Sequence, residues 1–425
     1  MEQLFRMVAK FIFLVWALLT GSLAWSQIEI ERVSVSSEGV QAAGISRAFS
    51  VSDDGNIITF TAVDDSLAPG YSNPYDFGFA YFRNVAEPLT DWVSLPTSVS
   101  RFPQLPVTTG DGGRIYFISN ESGLPGIEDT SSDAFRLFYR DTTSGQIELV
   151  LDTATSDCFG IEDYLIHVSQ GGARVSFRAP ECFINAGGST EGRPLWIYDS
   201  VDDVTSLVSR DEAGSAINAG PVHTMSANGQ WVAFWTTLQA DGLGADTSNP
   251  KLYVMEVDQD QVYSVPLVDS SQHGGWSQAQ SASITNDGKY VTFHSGSADL
   301  IGSDTNGRVD TFLVDRGTEI VTRVSTTASG NQVDFQHSYY VDMTPDGSRI
   351  VYSADGKIIL WDRDIDQKFN LVEGVASRGL AISADGRYVL TVMEDDQIGG
   401  DTNGVPDVVR IDLDGVYYLF SDRFE

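Results

Sequence analysis

Apolar and polar residues alternate with a period of two in short runs along this chain, and glycine interrupts the runs at regular intervals. Each interval opens on a small-residue turn that ends in glycine and leads into an apolar strand. The sharpest copies read Ser52-Asp53-Asp54-Gly55, Thr285-Asn286-Asp287-Gly288, Thr344-Pro345-Asp346-Gly347 and Ser383-Ala384-Asp385-Gly386. The marker glycines fall at 55, 112, 172, 229, 288, 347 and 386, at spacings of 57, 60, 57, 59, 59 and 39 residues. A fixed period of this size means stacked copies of one supersecondary unit.

The fifth copy shows the unit in full. Ala279 to Thr285 reads as a first strand, and Asn286-Asp287-Gly288 as the tight turn after it, because glycine accepts a positive φ. Tyr290-Val-Thr-Phe-His294 is a second strand of alternating aromatic and β-branched residues. A long polar loop, Ser295 to Val309, leads to a third strand, Thr311 to Asp315. Arg316-Gly317 turns the chain into a fourth, Ile320 to Ser325. Four antiparallel strands joined this way, repeated, are the blade of a β-propeller. The other copies follow the same plan. In the sixth, the loop between second and third strands shrinks to Ser353–Lys357. No stretch carries a helical period. The predicted fold is all-β, a seven-bladed β-propeller of four-stranded antiparallel blades, with six or eight blades as the alternatives. Two segments compete to close the ring. Ile30 to Val35 resembles the fourth strand Ile320 to Ser325, while the last repeat offers its own candidate at Val416 to Phe420.

The N-terminal residues 1–26 read as a signal peptide. Arg6 and Lys10 precede the apolar run Phe11 to Leu19, and Ala24 and Ser26 are spaced as a cleavage site. Nine apolar residues are too few to span a bilayer, which takes about 20. An uncleaved anchor, lengthened through Leu23, is the alternative. Residues 27–425 then form a single propeller domain with a short tail at 419–425. The expected protein is exported to the periplasm or beyond the cell, is monomeric, and has no membrane span once the signal is removed. Its formal charge of −33 argues against nucleic acid and anionic membranes, which are bound through Lys and Arg. An acidic surface also serves simply to solubilise. Cys158 and Cys182 are the only cysteines, and in an oxidising compartment such a pair is expected to form a disulfide. Two unrelated buried thiols are the alternative.

Phrases such as Ile382-Ser-Ala-Asp-Gly-Arg-Tyr-Val389 and Asp401-Thr-Asn-Gly-Val-Pro-Asp-Val408 resemble the TolB-like, WD-like repeat family of bacterial β-propellers. The resemblance covers nearly all of residues 27–425 and implies the propeller fold. It implies no particular activity, because propellers host many. TolB carries an α/β domain ahead of its propeller, and no such segment is legible here. Nor is there a Gly-x-Ser-x-Gly elbow of the kind found in prolyl-oligopeptidase-like enzymes.

Two sets of residues carry candidate chemistry. The loops between second and third strands repeat a polar signature, nearly identical at Gly302 to Asp310 and Gly400 to Asp407. Asp304, Asn306 and Asp310, and likewise Asp401, Asn403 and Asp407, can aim hard oxygens at one point, as Ca²⁺ requires. Equally, Asp and Asn in such turns fold back onto their own backbone with no metal. His167, His223, His273 and His337 lie in or just before the first strands of repeats three to six, which line a propeller's channel, so their side chains are candidates to converge at its mouth. Their unequal offsets from the marker glycines argue for independent roles. His294, on a second strand, reads as structural. Asp342 and Glu181 have no evident partner, and Trp276 with Tyr71 would offer a sugar-stacking platform.

Together these features point to a binding or interaction module for a protein, peptide or glycan, with Ca²⁺ as the candidate loop ligand. The alternative is a metal-assisted polysaccharide lyase or hydrolase at the channel mouth.

Overall fold

A computed structural model of the chain describes residues 28–70, 78–94, 104–120, 124, 135–151, 161, 165–184, 189, 192–211, 213–220, 222–236, 251–265, 281–296, 300–302, 304–327, 330–333, 340–394 and 399–414. The expected signal peptide and the tail 419–425 lie outside them. The described strands form seven four-stranded antiparallel sheets, each hydrogen-bonded in a single inner-to-outer order. This is the seven-bladed propeller that the repeats predict. The fifth blade runs Ser283–Ile284, Tyr290–Ser295, Asp310–Asp315, Ile320–Arg323. Its first strand is shorter than the apolar pattern suggests: only Ser283↔Thr292 and Ile284↔Val291 pair.

In the sixth blade the second strand Arg349–Ala354 and third strand Lys357–Asp362 are joined by Asp355 and Gly356. Both have positive φ, 54° and 69°, the geometry of a two-residue hairpin turn. That turn replaces the long loop of the other blades and accounts for the short 39-residue spacing. One helical turn, Glu181–Ile184, follows the second strand of blade three and was not expected from the pattern. Four residues are too few to show a helical period.

Ring closure falls to the N-terminal segment. Glu29–Arg32 pairs antiparallel with Asp407–Asp412, in the register Glu29↔Asp412 through Arg32↔Val409, and so becomes the outer strand of the last blade. The competing segment Val416 to Phe420 lies outside the described residues.

Blades pack face to face, with a hydrophobic cluster at each junction. Where the ends of the ring meet, Val33, Phe60, Tyr81, Trp92, Leu390, Val392 and Val408 form one such cluster. The glycine turns supply a second contact. All seven marker glycines have φ between 65° and 74°, and each leans on the preceding blade. A Cβ on Gly55 would come within 3.0 Å of the Tyr388 ring, and one on Gly288 within 3.0 Å of Trp231, closer than real Cβ atoms approach. Within each turn the Ser or Thr hydroxyl is pinned. In the first copy, Ser52 Oγ donates to Asp54 (2.6 Å) and accepts the Ile57 amide (2.9 Å). The same box recurs at Thr285 and at Ser383. Backbone bonds then run from turn to turn around this face, from Asp53 to Gly110, Gly110 to Gln170, and Gln170 to Ala227.

The glycine argument separates two substitutions. At Gly39 (φ 80°) an added Cβ would have no heavy atom within 4 Å, so Gly39→Ala meets only the left-handed backbone cost of about 1–2 kcal/mol. Gly55→Ala adds an inter-blade clash, worth roughly 1–3 kcal/mol more. Denaturant titration of the two variants is expected to rank them in that order.

Candidate functional site: the central channel and two aspartate loops

The seven first strands enclose a channel of about 890 Å³. Each blade contributes the residue two before its turn Ser or Thr, which gives a ring of Ser50, Val107, His167, Thr224, Ser283, Asp342 and Ala381. Nearer the start of the strands, the wall carries Arg47, Leu165, Val222, Ser281, Tyr340 and Gly379. At the turn end it carries Asp53, Gly110, Gln170, Ala227, Pro345 and Ala384. The wall is irregular over one sector: the first strands of blades seven, one and two each contain a register shift, at Val375/Leu380, Ala48/Ser50 and Gln104/Val107.

Three acidic or basic groups in this wall behave differently. Asp342 reaches to both neighbouring blades. Its Oδ1 accepts from Ser283 Oγ (3.0 Å) and from the Met343 amide (2.8 Å), and its Oδ2 accepts from the Ile382 amide (3.0 Å). Burial pushes its carboxyl up to about 6, against the lowering effect of those donors. Asp53 accepts from Gln170, which extends over side-chain-free Gly110 from two blades away. Burial and the neighbouring Asp385, Asp54 and Asp111 raise its pKa, while the Gln170 bond opposes them. Arg47 is exposed on the channel wall and has no partner among the described residues.

Of the four histidines singled out in sequence, His273 and His337 lie outside the described residues. The other two meet. The His167 and His223 rings are 4.9 Å apart at 73°. His167 faces the channel, whereas His223, at an odd position of its strand, is fully buried in the wall. Among the described residues, Nε2 of His167 has no hydrogen-bond partner of good geometry, and the Ser176 backbone is the one hydrogen-bonding group set against the His223 ring. Burial pushes His167 down to about 4. It pushes His223 well below the usual histidine range, with further lowering from His167 and Arg178. Both are neutral at pH 7. His294 is buried, with Nδ1 2.9 Å from the Ser281 carbonyl oxygen, in keeping with a structural role. No group of three or more His, Cys, Asp or Glu side chains is placed to hold a metal ion among the described residues.

The two aspartate loops have closely matched surroundings. Asp310 accepts from Ser325 Oγ (2.5 Å) and from Asn306 Nδ2 (3.1 Å), and Asp304 accepts from Gln332 Nε2 (3.0 Å). The Arg323 guanidinium lies 3.3 Å from Asp304 and 3.5 Å from Asp310, with all three side chains buried. In the last blade, Asp407 accepts from Arg32 Nε (2.7 Å), Ser34 Oγ (2.6 Å) and Gln41 Nε2 (2.7 Å), and Gln41 also reaches Asp401. The partners come from one pattern on the outer strand, Arg-Val-Ser followed by Gln nine residues after the Arg, at Arg323/Ser325/Gln332 and Arg32/Ser34/Gln41. A guanidinium thus sits against Asp304 and Asp310 in one loop and against Asp407 in the other. Asn306 and Asn403 bond backbone carbonyls of the outer segment, Val333 and Ala42.

Sequence reading missed Arg47 and undervalued Asp342. Aligning the repeats on their turns would have found Asp342, since it lies five residues before Gly347 as His167 lies five before Gly172. Cys182 is buried, while Cys158 lies outside the described residues, as do Trp276 and Tyr71.

No protein-family profile matches this chain, and no curated protein matches it. Solved structures do. An oligogalacturonate lyase in complex with manganese aligns over 92% of this chain and 98% of its own, at TM-score 0.54 and 10% identity. The β-propeller domain of the Trilobed protease from Pyrococcus furiosus, described as having an open velcro topology, aligns over 87% and 96%, at TM-score 0.54 and 8% identity. TolB from Acinetobacter baumannii aligns over 80% and 78%, at TM-score 0.41 and 16% identity. At these identities the likeness is one of fold.

The buried histidines make stability depend on pH. Unfolded histidine titrates near 6.5, so a folded pKa pushed below that gives stability that is present above about pH 6.5 and lost as the pH falls towards about 4. Asp342, with its raised pKa, acts in the opposite sense over the upper part of its carboxyl range. His223→Leu removes a buried titratable ring and is expected to flatten the acid limb of a Tm-against-pH profile. Asp407→Ala leaves the Arg32 charge uncompensated in the closing blade. A loss of about 3–5 kcal/mol is expected, together with faster hydrogen exchange at Glu29–Arg32, whereas Asp310→Ala is expected to destabilise without freeing that strand.

Proposed function

We propose that the chain is an exported binding module that takes part of a protein, peptide or glycan partner into its channel. The observation that carries this is the channel itself. Its volume lies in the range of ligand sites, and its wall is mostly apolar with a few placed polar groups. The acidic wall groups already spend their lone pairs inside the protein, Asp342 on three donors and Asp53 on Gln170. A carboxylate so engaged suits shaping a site better than abstracting a proton, which calls for a base within reach of the substrate.

A second reading has its own support. The neutral His167 and His223 pair, whose rings meet in the channel wall, and the fold-level likeness to an oligogalacturonate lyase favour a metal-assisted polysaccharide lyase or hydrolase. The aspartate loops we read as latches closed by Arg323 and Arg32, with Ca²⁺ as the competing occupant. Export, and with it a Cys158–Cys182 disulfide, belongs to the same proposal.

One set of measurements discriminates these readings. Peptide and glycan arrays probed with the chain are expected to give a bound class that Ala381→Trp, which obstructs the middle of the channel, removes while circular dichroism still reports a folded β protein; because Ala381 is buried, its Tm is expected to fall. Oligogalacturonate incubated with the chain, with and without Mn²⁺, is expected to yield no unsaturated product by ultraviolet absorbance. Product formation would replace the binding module by the lyase. Melting with Ca²⁺ and with chelator is expected to give one curve, and stabilisation by Ca²⁺ that Asp304→Ala abolishes would make the loops metal sites.

A further inference from the structure

The arginines of this chain outline an unoccupied role. Acidic residues outnumber basic ones 59 to 26, so a carboxylate is available almost anywhere a guanidinium is placed. The described arginines use this supply: Arg140 pairs with Asp91, Arg174 with Asp199 and Asp258, Arg210 with Asp260, Arg387 with Asp412, and Arg410 with Glu31. Others stack on aromatic rings or bond backbone carbonyls. Only Arg47 and Arg308 have no side-chain partner among the described residues. Arg308 is exposed on the loop of blade five. Arg47 is in the channel.

Its surroundings there are built rather than accidental. The described residues at its level, such as Leu165, Val222, Ser281 and Tyr340, include no acid. Arg47 precedes the register shift at Ala48/Ser50, a bulge of the kind that re-aims side chains beside sites. Blade seven closes tightly against that bulge through Gly379, whose φ is 144° and where a Cβ would fall within 3.0 Å of the Ala48 carbonyl oxygen. The permanent positive charge in the described wall is therefore set at an irregular sector and kept away from carboxylates of its own chain.

We infer that Arg47 is the recognition group of a channel subsite for a carboxylate-bearing ligand. The planar guanidinium fork matches a carboxylate with two parallel N–H···O bonds. The apolar and hydroxylic neighbours exclude competing ions without supplying an internal counter-charge. This rests on the channel-binding reading and deepens it by naming the ligand chemistry. An acidic peptide and an acidic sugar would both present that group.

The test titrates the full chain calorimetrically, without added metal, with triglutamate and with a uronic-acid trisaccharide, using triglutamine and a neutral trisaccharide as controls. At least one acidic probe is expected to bind in preference to its neutral counterpart, and which one binds assigns the source of the carboxylate. Arg47→Gln is expected to weaken it by about tenfold or more, and Arg47→Lys, which keeps the charge but loses the fork, by an intermediate factor. Arg308→Gln is expected to bind as the unsubstituted chain does. Arg47 and Arg308 are exposed and have no side-chain partner among the described residues, so Tm is expected to hold in all three variants. Absence of binding by both acidic probes, equal binding of the neutral controls, or unchanged affinity in Arg47→Gln would overturn the inference. If Ala381→Trp abolishes array binding while Arg47→Gln leaves it intact, the channel reading stands and the carboxylate subsite falls.

Discussion

Everything in this molecule depends on the ring being closed. Each blade buries its faces only against its two neighbours, so an open junction would expose one apolar face on each side and leave an unpaired sheet edge. Glu29–Arg32 removes that edge by pairing with Asp407–Asp412. The strand is short, and four ladder residues alone would hold it weakly. The Arg32–Asp407 ion pair, with Ser34 and Gln41 on the same loop, fastens it at its inner end. Blade five uses the same parts, Arg323, Ser325, Gln332, Asp304 and Asp310, within a continuous chain. The closing blade is thus an ordinary blade whose outer strand arrives from the other end of the sequence.

The repeat made the architecture legible, because its signals are local. A positive-φ glycine, a hydroxyl that accepts the amide five residues on, and alternating apolar strands are each contained within a short stretch of chain. The kinship of Ile30–Val35 with Ile320–Ser325 was also visible, and it marked the segment that closes the ring. The sequence alone could not choose between that segment and Val416–Phe420, since pairing between the two ends of the chain leaves no local trace. The polar loops show the same limit from another side. Asp, Asn and Asp at spaced positions offer oxygens, but the group facing them, Arg323 or Arg32, lies on a different strand and is set by register rather than by spacing.

The channel was less legible, for a reason of parity. Successive residues of a strand face opposite sides, so a histidine two places before the turn faces the channel, as His167 does, and one three places before it is buried in the wall, as His223 is. Counting histidines near first strands therefore grouped residues that face different surroundings, while Asp342, in register with His167, showed no partner in the sequence because two of its donors lie on the neighbouring blades.

The burial of His167 and His223 limits what the channel is able to bind. Two neutral imidazoles, an engaged Asp342 and an engaged Asp53 leave the described wall with little charge to give a ligand. The outer surface, by contrast, is dense in carboxylates, as the net charge of −33 requires. An anion approaching from solution is repelled at long range, over roughly a Debye length of 8–10 Å at physiological salt. Inside the channel it meets short-range, desolvated contacts instead. Such a division disfavours nonspecific polyanions, whose many charges feel the whole surface. It favours a short acidic ligand that enters the channel over a long polyanion, because the short ligand gains the Arg47 contact while few of its charges face the outer surface.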